Sequence, residues 1–350
     1  MQKLSLNVKL LTPCFLGDAS QSGVWRTPPF KALLREWWRV AAAPSHRYEH
    51  STLRQTEGRL LGNAWLEKAE LQSKVRMALR HWDAGKMTQW EKQDPSTPHD
   101  EVKGRDGNPK SVGSQLYLGY GPLTFNQGTA LKENKAALEA NEPNELSLAW
   151  PDSEITISHA IQLAHWFGTI GGRSRNGWGS LDLGLESLSK DHAQFIAVQR
   201  ELRECLKLDW PHAIGKDNVG ALVWESATTF PNWQDAMKFL AQTKIGFRTS
   251  LKFPNERTPH RDVQERHLLA YPVTHHDVSV RGWDRNTRLA NQLRFKLFHD
   301  SQKKLRARIY HTPHKSPLAV GNLDQLAVWQ KIHRWLDEPK HGLRRLGAAA

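Results

Sequence analysis

Cysteine is scarce: Cys14 and Cys205 are the only two in 350 residues, and they lie far apart. That excludes a disulfide framework and a paired-cysteine zinc site, and it fits a reducing interior. No run of about 18 apolar residues occurs, so no membrane helix and no membrane partner are expected. The opening Met1-Gln-Lys-Leu-Ser-Leu-Asn-Val8 lacks the apolar stretch of a secretory leader, which makes the cytoplasm the expected setting. The Gly-Lys-Ser/Thr ending of a Walker phosphate loop is missing, as is a dinucleotide fingerprint between a strand and a helix. Without an HxH motif or a dense carboxylate cluster, no metal nuclease is indicated, and neither metal nor cofactor is expected.

What is present is positive charge and tryptophan. The net charge is +13, and fifteen tryptophans accompany a 39% apolar fraction. That fraction is too high for long disorder, and most of the indoles must pack in cores or interfaces. The charge is uneven. Residues 1–240 carry 28 Lys and Arg against 27 Asp and Glu, a balance of +1; residues 241–350 carry 21 against 9, a balance of +12. A basic field favours a polyanion, because neutralising phosphates releases counterions, and its concentration in one third points to a binding face.

Along the chain, Leu4, Leu6, Val8 and Leu10 alternate with polar residues as in a half-buried strand. Thr27 as N-cap, Pro28 and Pro29 in the first turn, and a stripe of Phe30, Leu33, Leu34, Trp37 and Ala41 predict a helix. Lys31, Arg35 and Arg39 fall on another stripe at i, i+4 and i+8, which reads either as a solvated face or as a rail for phosphates. Residues 53–80 read as helical apart from Gly62-Asn63, and residues 83–122 as an insertion or long loop. Leu146–Trp150 and Ile155–Ile157 are strand candidates, and His159–Trp166 is a helix. Leu181, Leu183 and Leu185 suggest a strand, residues 192–207 a helix, and Ile245–Phe253 a glycine-bearing strand. Arg288–Phe298 and Arg306–Tyr310 read as paired basic strands, and Leu323–Leu336 as a last helix. Without a regular βαβ rhythm, the fold class is mixed α+β.

The strongest local signal is Gly168 to Gly179, with five glycines in twelve residues. Gly171, Gly172, Gly177 and Gly179 permit close backbone approach to a ligand, and Arg173 and Arg175 add guanidiniums for a sugar–phosphate chain. Trp178 is open to two readings, a platform for a base or a core anchor for the loop. His159, His165 and the His275-His276 pair are the histidines that could serve as a general base, but no catalytic set emerges.

Several segments resemble a known family. Leu11-Thr-Pro-Cys-Phe-Leu-Gly17 followed by Pro29-Phe-Lys-Ala-Leu-Leu-Arg-Glu-Trp-Trp-Arg39 resembles the N-terminal signature of the first subunit of the Cmr complex, the type III-B CRISPR effector. Glu57-Gly-Arg-Leu-Leu-Gly62 is similar to a further segment of that family. Gly171-Gly-Arg-Ser-Arg-Asn-Gly-Trp-Gly-Ser180 is similar to the glycine-rich loop of RAMP-superfamily proteins, and Arg288-Leu-Ala-Asn-Gln-Leu-Arg-Phe295 to a strand of the C-terminal half. Ala32, Leu61 and Asn291-Gln292 depart from the family pattern.

The resemblance implies two ferredoxin-like (RRM-like) modules with insertions. The first would span residues 1–190, with an insertion at about 83–145, and the second, basic module residues 191–350. It also implies a non-catalytic subunit that helps hold guide RNA and capture target RNA beside other RAMP subunits. Lys31, Arg35, Arg39, Arg173 and Arg175 are then expected to line one RNA-facing groove, with Trp178, Arg288 and Arg294 as further RNA-binding candidates. Two alternatives stand: a metal-independent RAMP endoribonuclease that processes CRISPR repeat RNA, and a protein–protein adaptor that contacts no RNA.

Overall fold

A computed structural model describes residues 1–64, 71–91, 93–104, 106–254, 258–284 and 286–347. Strand β1 (Gln2–Leu10) buries Leu6, Val8 and Leu10 on one face, as its alternation requires. Helix α1 (Thr27–Ala42) starts at its two prolines and buries Phe30, Leu33, Leu34, Trp37 and Trp38. Arg26, not Thr27, occupies the N-cap position, and no side chain caps the helix there. Helix α2 (His50–Leu61) stops at Gly62. Part of the helix expected over residues 53–80 lies outside the described residues, and its end is instead strand β2 (Arg76–Leu79). The β2 backbone finds its partners on a distant strand, a pairing that local propensity does not encode.

Residues 83–122 hold more order than a loop. Strands β3 (Ser96–Lys103) and β4 (Pro109–Gly113) form a hairpin, followed by helix α3 (Ser114–Gly119). A second small hairpin joins β5 (Leu123–Phe125) to β6 (Thr129–Leu131). Strand β7 (Pro143–Trp150) leads into helix α4 (Thr156–Phe167), which absorbs the strand expected at 155–157. Strand β8 (Leu181–Asp182) closes the first sheet, whose order is β2-β7-β1-β8.

The helix expected at 192–207 is broken into α5 (Ala193–Ala197), strand β9 (Gln199–Glu201) and α6 (Leu202–Cys205). Strand β9 pairs in parallel with β10 (Ile214–Asp217), which turns back antiparallel to β11 (Gly220–Ala221). The second large sheet begins with β12 (Val223–Ser226). Helix α7 (Trp233–Ser250) follows, so the strand expected at 245–253 is helical over most of its length. Asn232 caps α7 by accepting from the Asp235 N–H at 2.8 Å. Strands β13 (Leu293–His299) and β14 (Leu305–His311), helix α8 (Gln325–Asp337) and β15 (Leu343–Arg345) complete the sheet, in the order β13-β14-β12-β15. The fold is mixed α+β, with antiparallel pairing in both four-stranded sheets.

The two halves share their cores. Tyr310 of β14 packs with Trp37 and Phe167, and Trp90, Leu118 and Trp178 of the first half pack with α7 and β13. One dense set of polar contacts between them lies at the end of α4. The last four carbonyls of a helix have no intrahelical donor. Here Lys296 Nζ donates to His165 O at 2.7 Å and to Gly168 O at 2.8 Å, Arg308 Nη1 to Trp166 O at 2.7 Å, and Tyr310 Oη to Phe167 O at 2.7 Å. Lys296 also donates to Leu181 O at 2.6 Å, so three carbonyls surround one buried amine. Burial, with Arg308 nearby, pushes its pKa well below the ordinary lysine value. Three donated hydrogen bonds are nonetheless the inventory of an ammonium, since a neutral amine has two donors.

Changing Lys296 to methionine would remove the side-chain donor from three buried carbonyls, leaving Gly168 O only the Leu181 N–H at 3.3 Å, and an unsatisfied buried carbonyl costs about 1–3 kcal/mol. Urea denaturation should show Lys296→Met less stable by on the order of 3 kcal/mol or more. Lys304→Met, at an exposed position, should change stability by less than about 0.5 kcal/mol.

Candidate nucleic-acid interface

The glycine loop begins where α4 ends, and its backbone is committed to the fold. Gly172 N donates to Phe15 O at 2.8 Å, Gly179 N to Pro13 O at 3.0 Å, and Phe295 N to Arg175 O at 3.0 Å. Gly171, Gly177 and Gly179 have positive φ. At Gly179 the need is steric as well, because a Cβ there would lie 2.0 Å from Ile170 O. Thr12 Oγ1 and Ser180 Oγ both donate to Gly177 O, at 2.9 and 2.8 Å. The glycines therefore let the loop press against the end of β1 and against β13, and Gly172 borders an open cleft.

The two loop arginines leave on opposite flanks. Arg173, itself at positive φ, is exposed beside Gly121, near Lys244 of α7. Partial desolvation lowers its pKa, and no described carboxylate pairs with it. Lys244 Nζ donates to Asn176 Oδ1 at 2.8 Å, and Arg248 Nη1 to the Tyr117 hydroxyl at 3.2 Å. Burial, with Arg248 and Arg173 close by, pushes the Lys244 pKa well below its ordinary value. Three cations thus meet where no described carboxylate pairs with any of them. Like charges held together in partial burial are costly unless an anion arrives.

Beside this cluster lies an open cleft of about 340 Å³, walled by Phe15, Gly121, Pro122, Gly172, Lys132, Lys135 and Glu133, whose carboxylate pairs with both lysines at 3.6 and 3.3 Å. Tyr120, next to Gly121, and Phe125, at the tip of β5, are 67% and 73% exposed. Large aromatics left in water near the Arg173 cluster are suited to stacking on unpaired bases. The outer face of the first sheet carries a shallow open depression of about 390 Å³ bordered by Lys3, Ser5, Arg76 and Ser147, but no exposed aromatic: its exposed positions on β1 and β7 are Lys3, Ser5, Asn7, Lys9, Pro143 and Ser147.

Arg175 points to the other flank. It donates to Asn291 O at 3.1 Å and lies near Arg294 and Glu36. Burial and Arg294 lower its pKa. Arg294 is buried and ion-paired with Glu36, which puts it in the core and not on an RNA surface. On α1, the buried Glu57 takes Arg35 at 2.8 Å and Arg39 at 2.5 Å, and Arg35 also donates to Leu61 O at 2.7 Å. The row on α1 is therefore tied down for two of its three members, while Lys31 has no carboxylate partner among the described residues. The five cations do not line one groove: Arg173 stands apart from Arg175 and the α1 row.

Trp178 is fully buried and packs edge-on against Trp90 and Trp233 at 5.5 and 5.8 Å between ring centres. It anchors the core, and the base-platform reading is corrected. Arg288 is exposed and donates to Thr287 O at 2.9 Å. Lys244, Arg248, Tyr120 and Phe125 escaped the sequence reading. For the first two the missed signal was the helical spacing of Lys244 and Arg248, hidden by reading that stretch as a strand.

No family model matches the chain, and no curated relative matches it in sequence. Solved structures do match. The crystal structure of Cmr1 from Pyrococcus furiosus, in its apo form, superposes with a TM-score of 0.50 at 13% identity, covering 99% of this chain and 99% of that one. The chain has the Cmr1 fold. Two cryo-EM structures of the type III-B Cmr-β complex bound to cognate target RNA contain chains similar to it at TM-scores of 0.49 and 0.48. Their identities are 11% and 10%, covering 94% of this chain and 98% and 97% of those. The resemblance carried by the Trp37-Trp38-Arg39 helix and the glycine loop thus extends to the whole Cmr1 fold.

Within the Cmr1 fold of this chain, the candidate histidines are structural in their contacts. His159 shares a hydrogen bond with Gln194 O at 2.8 Å, and His276 stacks on Phe253 at 3.7 Å and bonds to His260 at 2.9 Å. Its neighbour His275 sits at positive φ. Among the described residues no group of three His, Cys, Asp or Glu side chains is placed to hold a metal ion. Burial pushes His165, His212 and His267 down to about 4 and His333 to about 3. In the unfolded chain these groups titrate near 6.5. Their contribution to stability is complete above about pH 6.5 and is lost as pH falls toward their folded values, because the unfolded state binds the protons. Thermal melts should give a flat midpoint from pH 8 to 6.5 and a steep fall between pH 6 and 4. At pH 5.5 roughly one proton per buried histidine should be taken up on unfolding.

Proposed function

We propose that this chain is a non-catalytic, RNA-holding subunit of a type III CRISPR effector complex, acting in the cytoplasm. In that role it helps hold guide RNA and capture target RNA, with other RAMP subunits as its protein partners. The Cmr1 fold and the quoted motifs support the complex. One observation supports the RNA: Arg173, Lys244 and Arg248 converge beside an open cleft with no described carboxylate paired to them. Burial first, and then repulsion from Arg248 and Arg173, depresses Lys244; a phosphate at Arg173 and Arg248 would relieve the repulsive part. On the same reading each four-stranded sheet with its two helices is one ferredoxin-like module, over residues 1–190 and 191–350. The matching strand orders β2-β7-β1-β8 and β13-β14-β12-β15, each built by a βαββαβ path among its large elements, support that assignment.

In guided systems base pairing reads sequence while the protein holds backbone and shape. The test is an RNA-binding titration over salt concentration. Arg173→Ala with Arg248→Ala should weaken binding and reduce the slope of log affinity against log salt by about one for each phosphate that the variant no longer grips. An unchanged slope, with the variant folded, would remove the cluster from the interface.

A further inference from the structure

A second, smaller cleft lies on the other side of the Pro13–Phe15 segment. Phe15 lines the large cleft and packs against Trp90 at 5.8 Å and Trp178 at 5.2 Å between ring centres. Pro13 lines the smaller one, about 200 Å³, together with Trp90, Trp233, Gln115, Glu91 and Glu139. This volume is below the 300 Å³ or so at which pockets for drug-sized ligands begin. It suits one planar ring system.

The chemistry of the walls is mixed in a specific way. Trp90 and Trp233 meet edge to face, 6.1 Å between ring centres, and supply the aromatic surface. Gln115 is 1% exposed; its Oε1 accepts from Trp90 Nε1 at 2.8 Å. That hydrogen bond fixes which end of the amide is which, and its Nε2 is left buried with no partner. A buried donor without an acceptor costs about 1–3 kcal/mol, a cost that an incoming acceptor removes. Glu91 and Glu139 are exposed on the rim. They repel phosphate and accept hydrogen bonds from amino groups.

An aromatic wall, one amide donor and two carboxylates complement a nucleobase that presents a ring nitrogen or carbonyl acceptor beside an exocyclic amino group. Glutamate accepting from the cytosine amino group is such a pairing. An ammonium or guanidinium would suit the carboxylates but would face the amide donor with like polarity. Uracil would turn its carbonyl toward the carboxylates.

We infer that this cleft receives one unpaired amino-bearing base, cytosine or adenine, of an RNA strand whose backbone is held at the neighbouring cationic cluster. This rests on the RNA-holding reading, and it adds a preference at one nucleotide to a protein otherwise indifferent to sequence.

The experiment is binding of the full chain to three 12-nucleotide RNAs: oligocytidylate, oligouridylate and an abasic ribose-phosphate strand. Oligocytidylate should bind about tenfold tighter than oligouridylate, within the range by which a hydrogen-bonded contact to a base edge discriminates. The abasic strand should bind weakly, with strong salt dependence. Gln115→Met should abolish the difference between the two bases and leave abasic binding unchanged. Trp233→Ala, at the half-buried start of α7, should lower binding of both base-bearing strands toward the abasic level and serves if Gln115→Met does not fold. Equal binding of oligocytidylate and oligouridylate, or a preference that survives both variants, overturns the base site while the phosphate grip stands. Saturable binding of an arginine-rich peptide to the chain in the absence of RNA, lost in Trp233→Ala, would assign the cleft to a protein partner and also overturn it. Failure of every strand, the abasic one included, would sink the RNA-holding reading and this site with it.

Discussion

The end of α4 is the constraint on which the rest of the molecule depends. A helix that stops inside a protein must find donors for its final carbonyls. Here all of those from His165 to Gly168 are met by side chains of the opposite sheet: Lys296, Arg308 and Tyr310. Two of the three donors are basic, which also suits the negative end of the helix dipole. This bond fixes where Gly168 lies, and so where the glycine loop must turn. The loop then has to pass between the end of β1 and β13 at backbone distance, and only glycine fits at Gly179. Its glycines are the consequence of docking two sheets closely. The side chains that the loop turns outward are what remain for a ligand.

The same logic redistributes the basic charge. The excess of the last third reads in sequence as one binding face. Much of it is used internally. Arg308 pairs with Glu225 at 2.6 Å, Arg306 with Asp300 at 2.8 Å, Arg266 with Glu101 at 2.6 Å and Arg345 with both Asp217 and Asp337. Breaking such a buried pair by removing one partner leaves an uncompensated charge, so these arginines hold the fold. Three cations with no described carboxylate partner, Arg173, Lys244 and Arg248, gather where α7, α3 and the loop meet, joining the two halves of the chain.

Much of the fold was legible because its signals are local. Alternation in Leu4–Leu10 and the Phe30–Trp37 stripe produce β1 and α1 as read, and β14 and α8 follow in the same way. What failed was decided at long range. Strand β2 is a strand because β7 pairs with it, residue by residue from Arg76 opposite Ala149 to Leu79 opposite Leu146. Ile245–Phe253 alternates over too few residues to reveal that it is the end of an 18-residue helix capped at Asn232. Of the site, Arg173 was legible as an exposed cation on a turn. Its companions Lys244 and Arg248 lie about 70 residues downstream, and tertiary packing brings them together. Trp178 stayed open between platform and core because a tryptophan beside arginines has the same sequence appearance on a surface and in a core; its burial decides for the core.

The flank of the loop that faces RNA decides whether the cationic cluster is the binding site. Photocrosslinking of the chain to bound RNA, with the linked residues mapped by mass spectrometry, addresses that directly. Crosslinks concentrated at Tyr120, Phe125 and the residues around Arg173 are the expected result. Crosslinks confined to the α1 row or to the outer face of the first sheet, with none on the α3–α7 flank, would contradict it.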